Sequence, residues 1–227
     1  MKQKATPAFI IGMVALGCLL MYGVEVWQHP VYFTKSLLKL LVFGGLPLLC
    51  PVPGGRAGLL AGIFRPRQKK QLLRWAVVGA AVYLLILGAY GLLRPLIDLD
   101  HIAAQLGGTL GVTGSNFIYV ALYISVINSL LEEFFFRGFA FLTLKKQLPA
   151  KAAHLFSALA FALYHLAILS GWFSPLLFAA AIAGLCLAGV FFNLLDGLGG
   201  SIYPSWMVHL CANLAINTIG LAMFGLI

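Results

Sequence analysis

Leu130-Leu131-Glu132-Glu133-Phe134-Phe135-Phe136-Arg137 is the stretch on which the reading of this chain turns, because two carboxylates and a guanidinium stand inside an otherwise apolar helical run. Ionisable groups at such positions are costly. They are kept where they face the interior of a bundle, pair with one another and mark a site of chemistry. Helical spacing divides the labour: Glu133 and Arg137 are an i,i+4 pair, whereas Glu132 points about 100° away. Glu132 therefore has no local cation, and desolvation should make it a better proton acceptor, which makes it the first candidate for a general base.

Working outward, 62% of the 227 residues are hydrophobic and 9% are charged. The mean hydropathy of +0.99 exceeds what a soluble chain of this length can hide in one core. A bilayer is the expected solvent. Apolar runs near 8–27, 34–50, 73–93, 116–142, 153–170, 176–195 and 203–226 each suffice to cross it at roughly 20 residues per span. The expected fold is all-α, a polytopic transmembrane helix bundle of about seven spans, with a conical or bundle-like core in its C-terminal half. A single membrane domain over 1–227 is expected, with N-terminal helices in 1–115. The second span is the weakest, because Lys35 and Lys39 sit in its first turns and Pro47, Pro51 and Pro53 close it early. Lysines near a helix end can snorkel to the interface, and this segment could instead lie on the membrane surface.

The net charge of +9 gathers in short loops, around Arg56, Arg65, Arg67, Lys69, Lys70 and Arg74 and around Lys145, Lys146 and Lys151. No interleaved basic and aromatic surface accompanies it, so no nucleic-acid partner is expected. The same charges place both loops and the N-terminus on the cytoplasmic side. The stretch 94–115 then faces outward and has room for one short interfacial helix. Lys2 and Lys4 before an apolar run resemble a signal peptide, but no small-x-small site follows and a retained first helix is expected. Cys18, Cys50, Cys186 and Cys211 lack paired spacing and read as small apolar residues.

Two further spans carry polar side chains: His165, after Phe161 and Tyr164, and His209 with Asn213, which share one helical face. Counted from the cytoplasmic loops at 1.5 Å per residue, Glu132, His165 and His209 all lie roughly 15–21 Å deep. Independent placement in three helices of alternating direction would seldom converge so, and a single buried site is expected. The blander readings apply elsewhere. A lone intramembrane histidine is usually a packing residue, Glu133 with Arg137 reads as structural glue, and Phe161 and Tyr164 pack around His165. His154 and His29 look interfacial, and capping suffices for Asn193 and Asp196.

Glu132-Glu133 with Arg137, Phe161 with His165, and His209 with Asn213 resemble, in order, the EExxxR, FxxxH and HxxxN motifs of the CAAX-processing and bacteriocin-processing (CPBP, or Abi) family of intramembrane proteases. The resemblance covers roughly 116–227, including Ser201-Ile202-Tyr203-Pro204 before the last motif. It implies a catalytic module there, an endopeptidase in which Glu132 activates water for attack on a peptide carbonyl. His165 would orient that water or stabilise the developing charge, and His209 and Asn213 would supply oxyanion donors. Glu133, Arg137 and Phe161 would support them. The implied partners are the bilayer and a membrane-embedded or lipid-anchored peptide or protein substrate, and the expected setting is a bacterial plasma membrane.

Family members are often described as metalloproteases, and two histidines with a carboxylate could bind a catalytic zinc. No HExxH helix is present, and Asn213 suits an oxyanion better than a metal, so no cofactor is expected. A non-catalytic bacteriocin-immunity or binding protein and a small transporter or channel, with the Glu/His cluster as a proton relay, are the rival classes. The intact motifs weigh against the first, and the lack of an evident inverted repeat against the second.

Overall fold

The computed structural model describes residues 5–28, 30–51, 55–65 and 69–227. Lys2, Lys4, His29, Pro53 and Arg67, used above, lie outside the described residues, as do the side chains of Lys69 and Lys70. Within them the chain is all-helical, and seven helices are long and apolar enough to cross a membrane. They are α1 (Pro7–Gln28), α2 (Tyr32–Leu49), α4 (Gln71–Leu96), α6 (Phe117–Leu144), α7 (Ala150–Leu169), α8 (Pro175–Gly199) and α9 (Tyr203–Met223). Two shorter helices complete the set, α3 (Gly55–Ile63) and α5 (Leu99–Leu110). The protein is thus a multi-pass membrane bundle, and α5 is the short helix expected between the third and fourth spans.

Local chemistry sets the helix ends. Thr6 caps α1, accepting from the Phe9 N–H at 3.3 Å, with Pro7 in the first turn where no N–H is needed. Asp98 caps α5 through the His101 N–H at 2.9 Å, and Gly111 closes that helix in the left-handed conformation. Between α7 and α8 the approach is backbone-close: a Cβ on Gly189 would meet the Ala158 Cα at 2.9 Å, so only glycine permits this crossing.

The second span is a packed member of the bundle and not a surface helix. Phe43 of α2 is fully buried, stacks on Phe135 at 4.1 Å between centroids, and meets Phe136 and Tyr164 edge-on. Its two lysines do not snorkel to the interface. Lys35 and Lys39 are buried and turned inward, Lys35 onto Glu25 of α1 and Lys39 onto α6. A buried ammonium needs a carboxylate or carbonyl partner, and each lysine has found one. The cysteines carry no disulfide, and only Cys50 is fully buried; Cys18, Cys186 and Cys211 are half-buried.

The aromatic core continues along α6. Phe135, Phe136, Phe139 and Phe141 are fully buried, and Phe136 packs edge-on against Phe161 of α7. The helix departs from regular α geometry over Tyr123–Asn128 and again over Glu133–Phe141, where it widens to π-type i→i+5 bonding. Such widened turns are uncommon and concentrate at functional sites. Here one begins at the second of the paired glutamates.

Candidate active site

The face of α9 that meets α6 is polar along its length. Trp206 Nε1 donates to the Val126 carbonyl at 3.2 Å, Asn213 Nδ2 to the Ile124 carbonyl at 3.1 Å, and Asn217 Nδ2 to the Ala121 carbonyl and Ser125 Oγ at 3.0 and 2.9 Å. In lipid, hydrogen bonds of this kind hold helices in register where no hydrophobic force can. At the start of α9, Asp196 at the end of α8 accepts from the Ser205 N–H at 3.0 Å and the Ser205 hydroxyl at 2.7 Å. Its capping role therefore serves the neighbouring helix, one turn before His209. Asn193 is buried as well, accepting from Ser157 and donating to the His154 carbonyl. The His154 ring lies 4.5 Å from that of Phe141.

This register brings His209 between the two glutamates. Its Nδ1 is 2.7 Å from Glu133 Oε1 and its Nε2 is 3.7 Å from Glu132 Oε2. A carboxylate only accepts, so Nδ1 carries the proton and donates it to Glu133. The ring is held flat against Phe192 at 5.2 Å and edge-on to Phe161 at 5.9 Å. Glu133 also pairs with Arg137, with Nη1 to Oε1 at 3.3 Å, as the i,i+4 spacing predicts. Both are wholly excluded from solvent, and the guanidinium makes no hydrogen bond among the described residues. Ring faces replace those bonds, with Phe161 at 4.1 Å and Phe192 at 5.0 Å from the guanidinium carbon.

Glu132 differs from expectation. It has a cation, supplied by a distant part of the chain: Lys39 Nζ lies 2.5 Å from Glu132 Oε1 and 2.5 Å from Asn128 Oδ1, and Asn128 Nδ2 donates to the same Glu132 oxygen at 3.1 Å. Local helical spacing could not show this, because the partner is on α2. Asn128, one turn before Glu132, could have been found from its i,i+4 spacing. Lys39 had no sequence signal beyond being a lysine within an apolar span. The two carboxylate oxygens are thereby distinguished. Oε1 is occupied by an ammonium and an amide, while Oε2 faces His209.

His165 joins from α7. Its Nδ1 lies 2.7 Å from the Phe161 carbonyl, to which it must donate, leaving Nε2 with a free lone pair in the neutral ring. The ring contacts Phe161 and Tyr164 at 4.7 and 5.0 Å and lies within electrostatic reach of Glu132. It is half-buried, whereas Glu132 is 2% exposed. Asn213 is half-buried one turn beyond His209, with one of its two amide N–H bonds given to Ile124. Among the described residues no three His, Cys, Asp or Glu side chains cluster as a metal ion would need. Lys39 moreover puts a positive charge on the carboxylate a metal would use. The donor set does not fit a catalytic zinc.

A buried acid and histidine cluster at the meeting of three spans defines a polytopic membrane protein with an intramembrane polar site. Residues 114–215 match the family described as type II CAAX prenyl endopeptidase Rce1-like. That segment holds Glu132, Glu133, Arg137, Phe161, His165, His209 and Asn213, and through it the chain is similar to the CPBP (Abi) family of CAAX-type intramembrane proteases. No curated protein and no solved structure matches it.

Proposed function

We propose that this protein hydrolyses a peptide bond of a membrane-embedded or lipid-anchored peptide or protein by a metal-free mechanism in which Glu132 is the general base. The observation that carries the reading is the unequal surroundings of its two oxygens. Oε1 is held by Lys39 and Asn128, and Oε2 is turned to His209 at 3.7 Å, a gap too long for a direct hydrogen bond and suited to a shared water. Glu132 Oε2 takes a proton from that water as its oxygen attacks the substrate carbonyl. His165, with its Nδ1 proton committed to the Phe161 carbonyl, offers Nε2 as an acceptor that orients the same water. The negative charge that develops on the carbonyl oxygen needs donors in a dry site. His209 supplies one from Nε2 in the doubly protonated ring, whose plane is fixed by the Nδ1 contact with Glu133 Oε1. Asn213 has a second N–H for the same purpose, and an amide brings no net charge into lipid. Arg137, sealed between aromatic rings, fixes Glu133 and so the plane of the His209 ring.

The description of the matched family points to prenylated C-termini as one substrate class, and the setting we assign is a bacterial plasma membrane. The test uses purified protein in proteoliposomes, an internally quenched peptide ending in farnesyl-cysteine and three further residues, and profiling of new C-termini in membranes from expressing cells. Wild-type protein should cleave the peptide or release fragments in the profile, and Glu132→Gln of equal expression and melting should do neither. Fragments released equally by both would remove Glu132 as the base, and no cleavage in either assay by the wild type would remove the protease assignment.

A further inference from the structure

Lys39 lies outside the segment that matches the family, 93 residues from Glu132 in sequence, yet it makes the closest polar contact to that carboxylate. Its ammonium is enclosed on every described side. Glu132 Oε1 and Asn128 Oδ1 accept from it, and the rings of Tyr164 and Phe43 stand 4.9 and 5.5 Å from the nitrogen. It is 5% exposed, so the side chain does not reach for the interface as an intramembrane lysine ordinarily would. Lys35, one turn earlier on the same face, is already paired with Glu25 of α1. A hydrophobic residue packed against Phe43 would stabilise α2 at lower cost than a buried ammonium, so packing alone does not account for a lysine at this position.

Building on the reading of Glu132 as the base, we propose that Lys39 of the second span is its positioning residue: by holding Oε1 the ammonium fixes the carboxylate rotamer and leaves Oε2 as the oxygen that works on water. The groups that face this pair are Asn128, Tyr123 and, further off, Arg137 on α6, His209 on α9, His165 and Tyr164 on α7, Tyr32 on α2, and the mutually paired Lys35 of α2 and Glu25 of α1. Lys35 and Arg137 are each paired with another carboxylate, and the two histidines have Nδ1 committed elsewhere. Arg137 is also within electrostatic reach of Glu132 but pairs with Glu133, so among the described residues Lys39 is the permanent cation in direct contact with Glu132. The N-terminal helices thereby contribute a side chain to the site and are not merely a scaffold beside it.

The test compares Lys39→Met, Lys39→Arg, Lys39→Ala and Glu132→Gln in the proteoliposome and membrane-profiling assays, with melting measured on each. Lys39→Met should lower turnover by roughly 10²-fold, the cost of about 1 Å of misplacement at a reacting group, with the half-saturating substrate concentration unchanged. Lys39→Arg, or added ethylammonium supplied to Lys39→Ala, should restore much of the rate, which a packing role would not allow. Lys39→Met should melt below wild type, and combining it with Glu132→Gln should recover that loss if the two side chains pair. Wild-type turnover in Lys39→Met, or a loss that neither arginine nor ethylammonium mends, would overturn the proposal. Glu132→Gln run alongside separates the two ideas: if it is inactive while Lys39→Met is normal, only the role of Lys39 fails, and if it is fully active the base assignment itself fails.

Discussion

Two ion pairs begin one residue apart on α6 and differ in nearly every respect. Glu133 pairs with Arg137 one turn along its own helix, at 3.3 Å, with no solvent reaching either partner and phenylalanine rings on the guanidinium. Glu132 pairs with Lys39 from another span, at 2.5 Å, inside a set of hydrogen bonds with Asn128 and opposite two histidines. The first arrangement is sealed and local, which suits a strut. The second leaves one oxygen of the carboxylate turned to the Nε2 of His209, which suits a base.

The largest effect that would sharpen this contrast is on rate. Glu132→Gln should reduce fragment release by at least about 10³-fold, within the range of general-base contributions, and should melt only modestly lower because the Gln amide oxygen can still accept from Lys39. Next comes stability. Arg137→Met strands the Glu133 carboxylate in a dry core and should cost about 3–5 kcal/mol, read by denaturation in detergent, and much of this should return in Arg137→Met with Glu133→Gln. If instead Glu132→Gln unfolds the protein while Arg137→Met leaves it stable and inactive, the roles assigned to the two pairs are exchanged. A smaller effect is expected at Asn213→Ala, a drop in turnover of roughly tenfold at unchanged substrate affinity, because one oxyanion donor is lost while His209 remains. Asn217→Ala should be smaller still, about 0.5–1.5 kcal/mol of stability with unaltered turnover, since its two hydrogen bonds only join α9 to α6.

The same two pairs show what can be read before a structure exists. Arg137 is legible as the partner of Glu133 because a helix brings i and i+4 together, and all seven spans are legible because a bilayer demands long apolar runs. The convergence of Glu132 with His209 was legible from depth alone. Lys39 was not, since nothing in a sequence states which helices of a bundle touch or which way an intramembrane lysine turns. The assumption that lysines in a first turn snorkel outward made α2 look marginal, whereas Phe43 stacked on Phe135 holds it in the core. The π-type turns of α6 were equally hidden, because no residue type announces them.

Chelation bears on the whole account. Protein stripped of metal with a tight chelator and assayed in ¹⁸O-labelled water should release fragments at an undiminished rate, each with label in its new C-terminal carboxyl group, and Glu132→Gln treated identically should release none. Activity that vanishes on chelation and returns with zinc, or labelled fragments from the Glu132→Gln variant at the wild-type rate, would contradict a glutamate acting on water by itself.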